Sequence, residues 1–298
     1  MTECERILAE GILPESFLEE ETRCDFWVDK RRKKLWAVTL DLLIKFDEVC
    51  KKHNIKYFLM FGTLLGAVRH KGFIPWDDDA DIAMLREDYE KLLKIADQEF
   101  TAPYFFQTPY TDKGAFYSFT KLRNSNTSSV SKAYRYEKFN QGIALDIYPL
   151  DNCNMKEGER NYNLIKELNI KNSSYMRRAN PHLTDVEQKR VDAISGLDPL
   201  ATYEKMQSIA TQYNKYPTEN VICAVVTVYD WTRQIFPREI CKDLIDIEFE
   251  GYEFPVPRNY DKVLSTLYGD YMQFPPLEER GVYFSIKDAD RPYKEYLC

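Results

Sequence analysis

Apolar residues recur at spacings of three and four between Leu35 and Lys52, where Leu35, Val38, Leu42, Phe46 and Val49 share one helical face. The spacing predicts an amphipathic helix that ends at His53-Asn54. Ile55 to Phe61 is a short apolar run of strand type. Gly62-Thr63 breaks it, and Leu64 to Arg69 forms a helical turn capped by Thr63. Gly and Pro punctuate a loop from Lys71 to Trp76. Asp79 to Leu85 predicts a second strand, and Glu87 to Gln98 a helix with Tyr89, Leu92, Leu93 and Ala96 facing inward. Further strands are predicted at Tyr104 to Thr108, Ala115 to Leu122, Gly142 to Tyr148, Val221 to Val228 and Ile247 to Phe254. Met155 to Arg178, Ala201 to Tyr213 and Asn259 to Tyr268 read as helices, the last closed by Gly269. The expected fold is α+β, a mixed β-sheet flanked by helices. Composition shifts from strand-rich to helix-rich near residue 151 without a linker. The expectation is one domain over 1–298, with a core at 35–151 and a helix-rich C-terminal elaboration at 152–298 packing on it.

Composition narrows the class. A 44% hydrophobic and 30% charged chain fits a globular enzyme and argues against disorder. The 21 Tyr and 17 Phe suit core and sheet positions first, and sugar or base contacts second. A net charge of −7 leaves no basic face for nucleic acid. The one basic run, Lys30 to Lys34, reads as the exposed start of a helix and leaves a peripheral contact with anionic lipid headgroups open. Neither a signal peptide nor an apolar run of the roughly 18 residues a membrane helix needs is present, so the expected location is the cytoplasm, with membrane association at its inner face open. Seven scattered cysteines without a CxxC read as reduced thiols, and three histidines make a Cys/His zinc site a poor fit. A metal would be a hard cation on carboxylates, Mg²⁺ or Mn²⁺.

The chemistry concentrates in Asp77-Asp78-Asp79-Ala80-Asp81. Two unit charges about 4 Å apart repel by roughly 4 kcal/mol at an effective dielectric near 20. Such a cluster persists where a cation sits or where the side chains part into water. On a strand, Asp79 and Asp81 share a face while Ala80, Ile82 and Met84 turn to the core. Asp146 stands on the polar face of a strand whose Ile143, Leu145 and Ile147 are apolar, and so needs a partner. Asp151, after Pro149, reads as a turn residue. Gly62 and Thr63 follow a strand and precede a helical turn, a place where backbone N–H groups meet phosphate. Arg69, Lys121 and Arg123 are the basic candidates for donor phosphates, with His70 beside Arg69. Strand, small-residue turn, short helix and Asp-x-Asp strand is the arrangement of nucleotidyltransferase-fold enzymes.

The stretch Tyr57 to Tyr89, with Gly62-Thr63-Leu64-Leu65-Gly66-Ala67-Val68-Arg69-His70 and Gly72-Phe73-Ile74-Pro75-Trp76-Asp77-Asp78-Asp79, closely resembles the LicD family of phosphocholine transferases. Lys121 to Thr127, Asp146 to Asp151 and Tyr268-Gly269-Asp270-Tyr271-Met272 with Pro275-Pro276 are similar to its later motifs. The resemblance is dense from about residue 37 to 151 and thin from 152 to 245. It implies a nucleotidyltransferase-like fold, a CDP-alcohol donor such as CDP-choline, and a sugar acceptor on a surface glycan, lipopolysaccharide or teichoic acid. Fukutin-type ribitol-phosphate transferases are more distant relatives. Carried over, Asp79, Asp81 and Asp146 hold the metal and Asp77 assists or acts as base. A histidine common after the family's Pro-Pro segment is missing from Glu278 to Tyr283, which puts acceptor specificity in question. Two other readings stay open: a nucleotidyltransferase using a nucleoside triphosphate, and a non-catalytic sugar- or metal-binding module.

Overall fold

Ile143, Leu145 and Ile147 are buried, and the strand they form is the axis of the protein. The computed structural model describes residues 1–225, 230–281 and 285–298. Its helices are α1 (Glu3–Ala9), α2 (Lys30–Lys52), α3 (Phe61–His70), α4 (Arg86–Glu99), α5 (Gly158–Tyr175), α6 (Asp185–Asp192), α7 (Pro199–Thr211) and α8 (Tyr260–Tyr268). The strands are β1 (Glu21–Arg23), β2 (Phe26–Val28), β3 (Phe58–Leu59), β4 (Ala80–Leu85), β5 (Tyr104–Gln107), β6 (Thr120–Asn124), β7 (Ser128–Ser131), β8 (Ile143–Asn152), β9 (Asn220–Ile222), β10 (Ile235–Pro237), β11 (Leu244–Phe249), β12 (Tyr252–Pro257) and β13 (Ser285–Asp288).

The main sheet is mixed, so the fold is α+β. β4 runs parallel to β8, with Ala80 opposite Leu145 and Asp81 opposite Asp146. β3 lies antiparallel on β4, β6 pairs with the first half of β8, and β9 pairs with its last two residues. β5 and β10 complete the sheet. Three two-stranded pairs stand outside it: β1–β2, β11–β12 and β7–β13.

α2 crosses the sheet against β8 and β6 with Trp36, Leu40, Leu43 and Phe46 fully buried. Each such side chain contributes about 1.5–3 kcal/mol relative to exposure. Its first half is enclosed on most sides, so the amphipathic pattern expected from Leu35 onward shows only toward its C-terminal end. β12 and α8 send Phe254, Val256, Val263, Leu264 and Leu267 into that same core. A second apolar cluster lies under α5 and α7, around Phe116, Phe139, Ile165, Tyr203 and Met206. Among the described residues no helix is long and apolar enough to cross a membrane. None of the seven cysteines is in a disulfide.

Several expected boundaries move for local reasons. Of Ile55 to Phe61 only Phe58–Leu59 pairs, because the Ile55 N–H closes α2 on Cys50 O and Phe61 already opens α3. Gly62 and Thr63 therefore sit in a helical first turn rather than in a strand-breaking turn. Ala115 to Ser118 is not strand: the Phe116 N–H meets Met176 Sδ and Ser118 Oγ donates to Val225 O, so β6 starts only at Thr120. The strand expected at Ile247 to Phe254 is a hairpin, turned at Glu250-Gly251, both with positive φ. Leu93, expected inside, is 36% exposed. Within the run from Val221 to Val228, β9 ends at Ile222, and Val226 to Val228 lie outside the described residues. Asp151 is no turn residue. It lies fully buried inside β8 and takes a two-pronged bond from Arg86, with Asn214 on the same carboxylate.

Candidate active site

The parallel register of β4 and β8 sets Asp81 and Asp146 side by side on adjacent strands. Their neighbours Ala80, Ile82, Leu145 and Ile147 are all fully buried, so the aspartates project from the opposite side of a well-anchored sheet. β6 completes the row: Lys121 faces Asp146 in register, with Nζ 2.5 and 2.6 Å from its two oxygens. Lys121 also lies over the rings of Tyr117 and Phe119, and Tyr148 OH donates to Asp146 Oδ2 at 3.4 Å.

The acidic loop ahead of β4 brings the remaining carboxylates. Asp77, Asp78 and Asp79 each offer an oxygen within 4.8 Å of the others. The loop backbone is clamped from two sides. Arg32 and Trp36, one turn apart on α2, both donate to Asp77 O. Lys287 on β13 donates to Asp78 O at 2.6 Å and pairs with the Asp78 carboxylate at 3.0 Å. The basic run at the start of α2 is thus only partly exposed. Arg32 and Lys33 turn inward, the latter pairing with Glu21, while Lys30 and Arg31 stay outside.

Gly62 and Thr63 serve this loop rather than forming a turn of their own. A Cβ on Gly62 would lie 2.7 Å from Asp77 Oδ2, so the absence of a side chain there lets Asp77 close on the first turn of α3. That turn opens on Phe61 at φ +49 and has no side-chain cap. Thr63 Oγ1 accepts from the Asp81 N–H at 2.7 Å and so locks the mouth of β4 to α3.

Electrostatics follow from the crowding. Burial, then the Asp79 and Asp78 charges, push Asp77 well above the usual carboxylate range. Burial, then Asp79, Asp146 and Asp77, do the same to Asp81. Asp79 is also raised, by burial and by Asp78 and Asp146 against the pull of Lys287 and Lys121. Burial lowers Lys121 even beside Asp146. Among the described residues the site holds more negative charge than its two lysines, Lys121 and Lys287, compensate, and its carboxylates offer only oxygen donors.

The other basic candidates have partners elsewhere. Arg123 is buried and donates to Gln107 Oε1 and Gly142 O, tying β6 to β5 and to the start of β8. Arg69 donates to Tyr271 O and Gln273 O and lies over Trp76 and Phe274, next to Arg280. It holds the segment after α8 against Trp76, the residue that precedes the acidic loop. His70 Nε2 accepts from Arg69 Nε at 2.9 Å. Sequence reasoning missed Arg32, Trp36 and Lys287. The first two carry a faint signal, an i, i+4 pair on one helix face. Lys287 carries none, being 209 residues from its partner in the chain.

The family described as LicD/FKTN/FKRP, nucleotidyltransferase domain, matches residues 54–168, from just before β3 into α5. The lipopolysaccharide cholinephosphotransferase LicD of Haemophilus influenzae is 32% identical over 258 residues, 82% of this chain and 92% of its own length. An uncharacterized protein of Rickettsia prowazekii is 50% identical over 76 residues, 25% of this chain and 26% of its own. Another from Rickettsia typhi is 61% identical over 53 residues, 17% of each.

Proposed function

The chain belongs to the LicD family, and on that premise we propose that it transfers phosphocholine from a CDP-alcohol donor, CDP-choline, to a hydroxyl of a surface glycan of the lipopolysaccharide class. The observation that carries the reading is the row Asp81–Asp146–Lys121 across three strands, with the acidic loop closed over it.

The donor set fits a hard divalent cation, because it is all carboxylate and its groups raise one another's pKa. Asp79, Asp81 and Asp146 would hold Mg²⁺ or Mn²⁺, and Asp79 also belongs to the tight Asp77–Asp78–Asp79 group. Such an ion, when bound, neutralises charge on a transferred phosphoryl group.

In this reading a sugar hydroxyl attacks the phosphorus that carries choline. A new P–O bond forms, the bond to the bridging oxygen breaks, and CMP leaves. Asp77 takes the hydroxyl proton: its raised pKa suits a base, while Asp78 is committed to Lys287. Lys121 faces the same space and offers positive charge to the phosphoryl oxygens. Thr63, Arg32 and Lys287 fix the carboxylates in place. A cytoplasmic setting, with peripheral contact to anionic headgroups through exposed Lys30 and Arg31, belongs to this proposal.

The test is CMP release from CDP-choline with Mg²⁺ and O-deacylated lipopolysaccharide as acceptor. Asp81→Asn is expected to lose at least 10³-fold of kcat while unfolding cooperatively. Full activity in that variant overturns the site. Pyrophosphate from CTP with an alcohol phosphate, and no CMP from CDP-choline, would turn the reading to a nucleotidyltransferase.

A further inference from the structure

A cavity of about 710 Å³ lies away from the acidic cluster, beyond β6, between the 109–116 loop, the 136–138 segment and the helices α5 and α7. Among the described residues three tyrosines line it: Tyr110, 61% exposed, together with the half-buried Tyr136 and Tyr175. Lys113, Lys138 and Arg178 rim it, all exposed. Arg178 stacks on Tyr175, 3.8 Å from the ring centre, and pairs with Glu137 at 3.1 Å. Lys113 and Lys138 have no ion-pair partner among the described residues. The rim therefore carries surplus positive charge on a chain whose net charge is −7.

This chemistry selects a ligand class. Aromatic faces with polar edges suit the C–H faces of sugar rings. Free cations at the rim suit phosphate or carboxylate groups on them. Purely lipid binding would call for an aliphatic wall, and here Leu200 and Pro109 are the only aliphatic lining residues among those described. The cavity also lies one residue along the chain from the rings that carry Lys121. Phe116 lines it; the next residue, Tyr117, stands 6.3 Å from Phe119, and both rings lie under Lys121.

We propose that this cavity is the subsite for a phosphorylated oligosaccharide, which it holds so that a neighbouring sugar of the same chain reaches Lys121 and Asp146. The inference rests on the transferase reading and assigns its acceptor a place.

The experiment titrates O-deacylated lipopolysaccharide of Haemophilus influenzae into the full chain by calorimetry, alongside the same glycan stripped of phosphate. Wild type is expected to bind the phosphorylated form at least 10-fold more tightly than the stripped form. Lys138→Glu and Tyr110→Ala are expected to weaken binding at least 10-fold. Both positions are exposed, and unchanged melting temperatures would show intact folds. In turnover the same variants raise KM for the glycan and leave KM for CDP-choline unchanged. Equal binding by wild type and Lys138→Glu, no binding by wild type, or indifference to phosphate overturns the inference. Absence of CMP release by wild type is a failure of the transferase reading instead, and leaves the binding result to decide the subsite.

Discussion

Lys121 Nζ lies 2.5 and 2.6 Å from the two carboxylate oxygens of Asp146, on facing residues of neighbouring strands, and both side chains are only 13% exposed. The pair closes one end of the acidic row, so removing the cation leaves Asp146 beside Asp81 and Asp79 without its own positive partner.

Lys121→Met lowers stability by about 3 kcal/mol in chelator, the scale for stripping one partner from an enclosed pair. Added Mg²⁺ recovers more of that loss than it adds to wild type, because it supplies the charge that was deleted. Denaturant melts with and without Mg²⁺ measure both. An equal Mg²⁺ increment in the two proteins would show that the carboxylates do not share a cation.

Gly62→Ala separates the site from the fold. The new methyl would lie 2.7 Å from Asp77 Oδ2, so Asp77 has to move. Alanine is meanwhile the better helix former by up to about 1 kcal/mol. The expected outcome is unchanged or slightly raised thermal stability with kcat down by 10- to 100-fold. A fully active Gly62→Ala enzyme would remove Asp77 from the chemistry.

The sequence exposes the acidic cluster because strand alternation puts Asp79 and Asp81 on one face, and Asp146 on the polar side of an apolar strand. Both features are local, and the parallel register then joins them. The braces are not local. Lys287 reaches Asp78 across the whole chain, and Arg32 looks like one more charge in a basic run. Asp151 misleads for a similar reason: Pro149 suggests a turn, but β8 runs on through it and pairs there with β9. The partner that satisfies Asp151, Arg86, sits at the start of α4.

Asp151→Asn is accordingly a stability variant. Arg86 and Asp151 are 9% and 0% exposed and form a forked bond, with Asn214 also on the carboxylate and Gln207 on the guanidinium. Removing one charge from such a pair costs about 3–5 kcal/mol. Urea unfolding is expected to show that loss, while kcat per folded molecule at 15 °C stays within twofold of wild type. A large drop in kcat at full stability would return Asp151 to the active site.

The pH dependence of stability tests His70. Burial first, then the charges of Arg69 and Arg23, lower its pKa from 6.5 to about 4, and its Nε2 accepts from Arg69 rather than donating. The unfolded chain therefore takes up a proton near pH 6.5 that the folded protein refuses until about pH 4. Stability from the neutral ring is complete above pH 6.5, falls between 6.5 and 4, and is gone below that window. Replacing His70 with Gln keeps an acceptor oxygen for Arg69 and removes the titration. Wild type should then lose more melting temperature than His70→Gln between pH 7 and 4.5, with the two curves parallel above pH 7. Parallel curves across the whole range would mean that His70 charges freely in the folded protein, and that its bond to Arg69 does not hold the segment after α8 against Trp76 through a neutral ring.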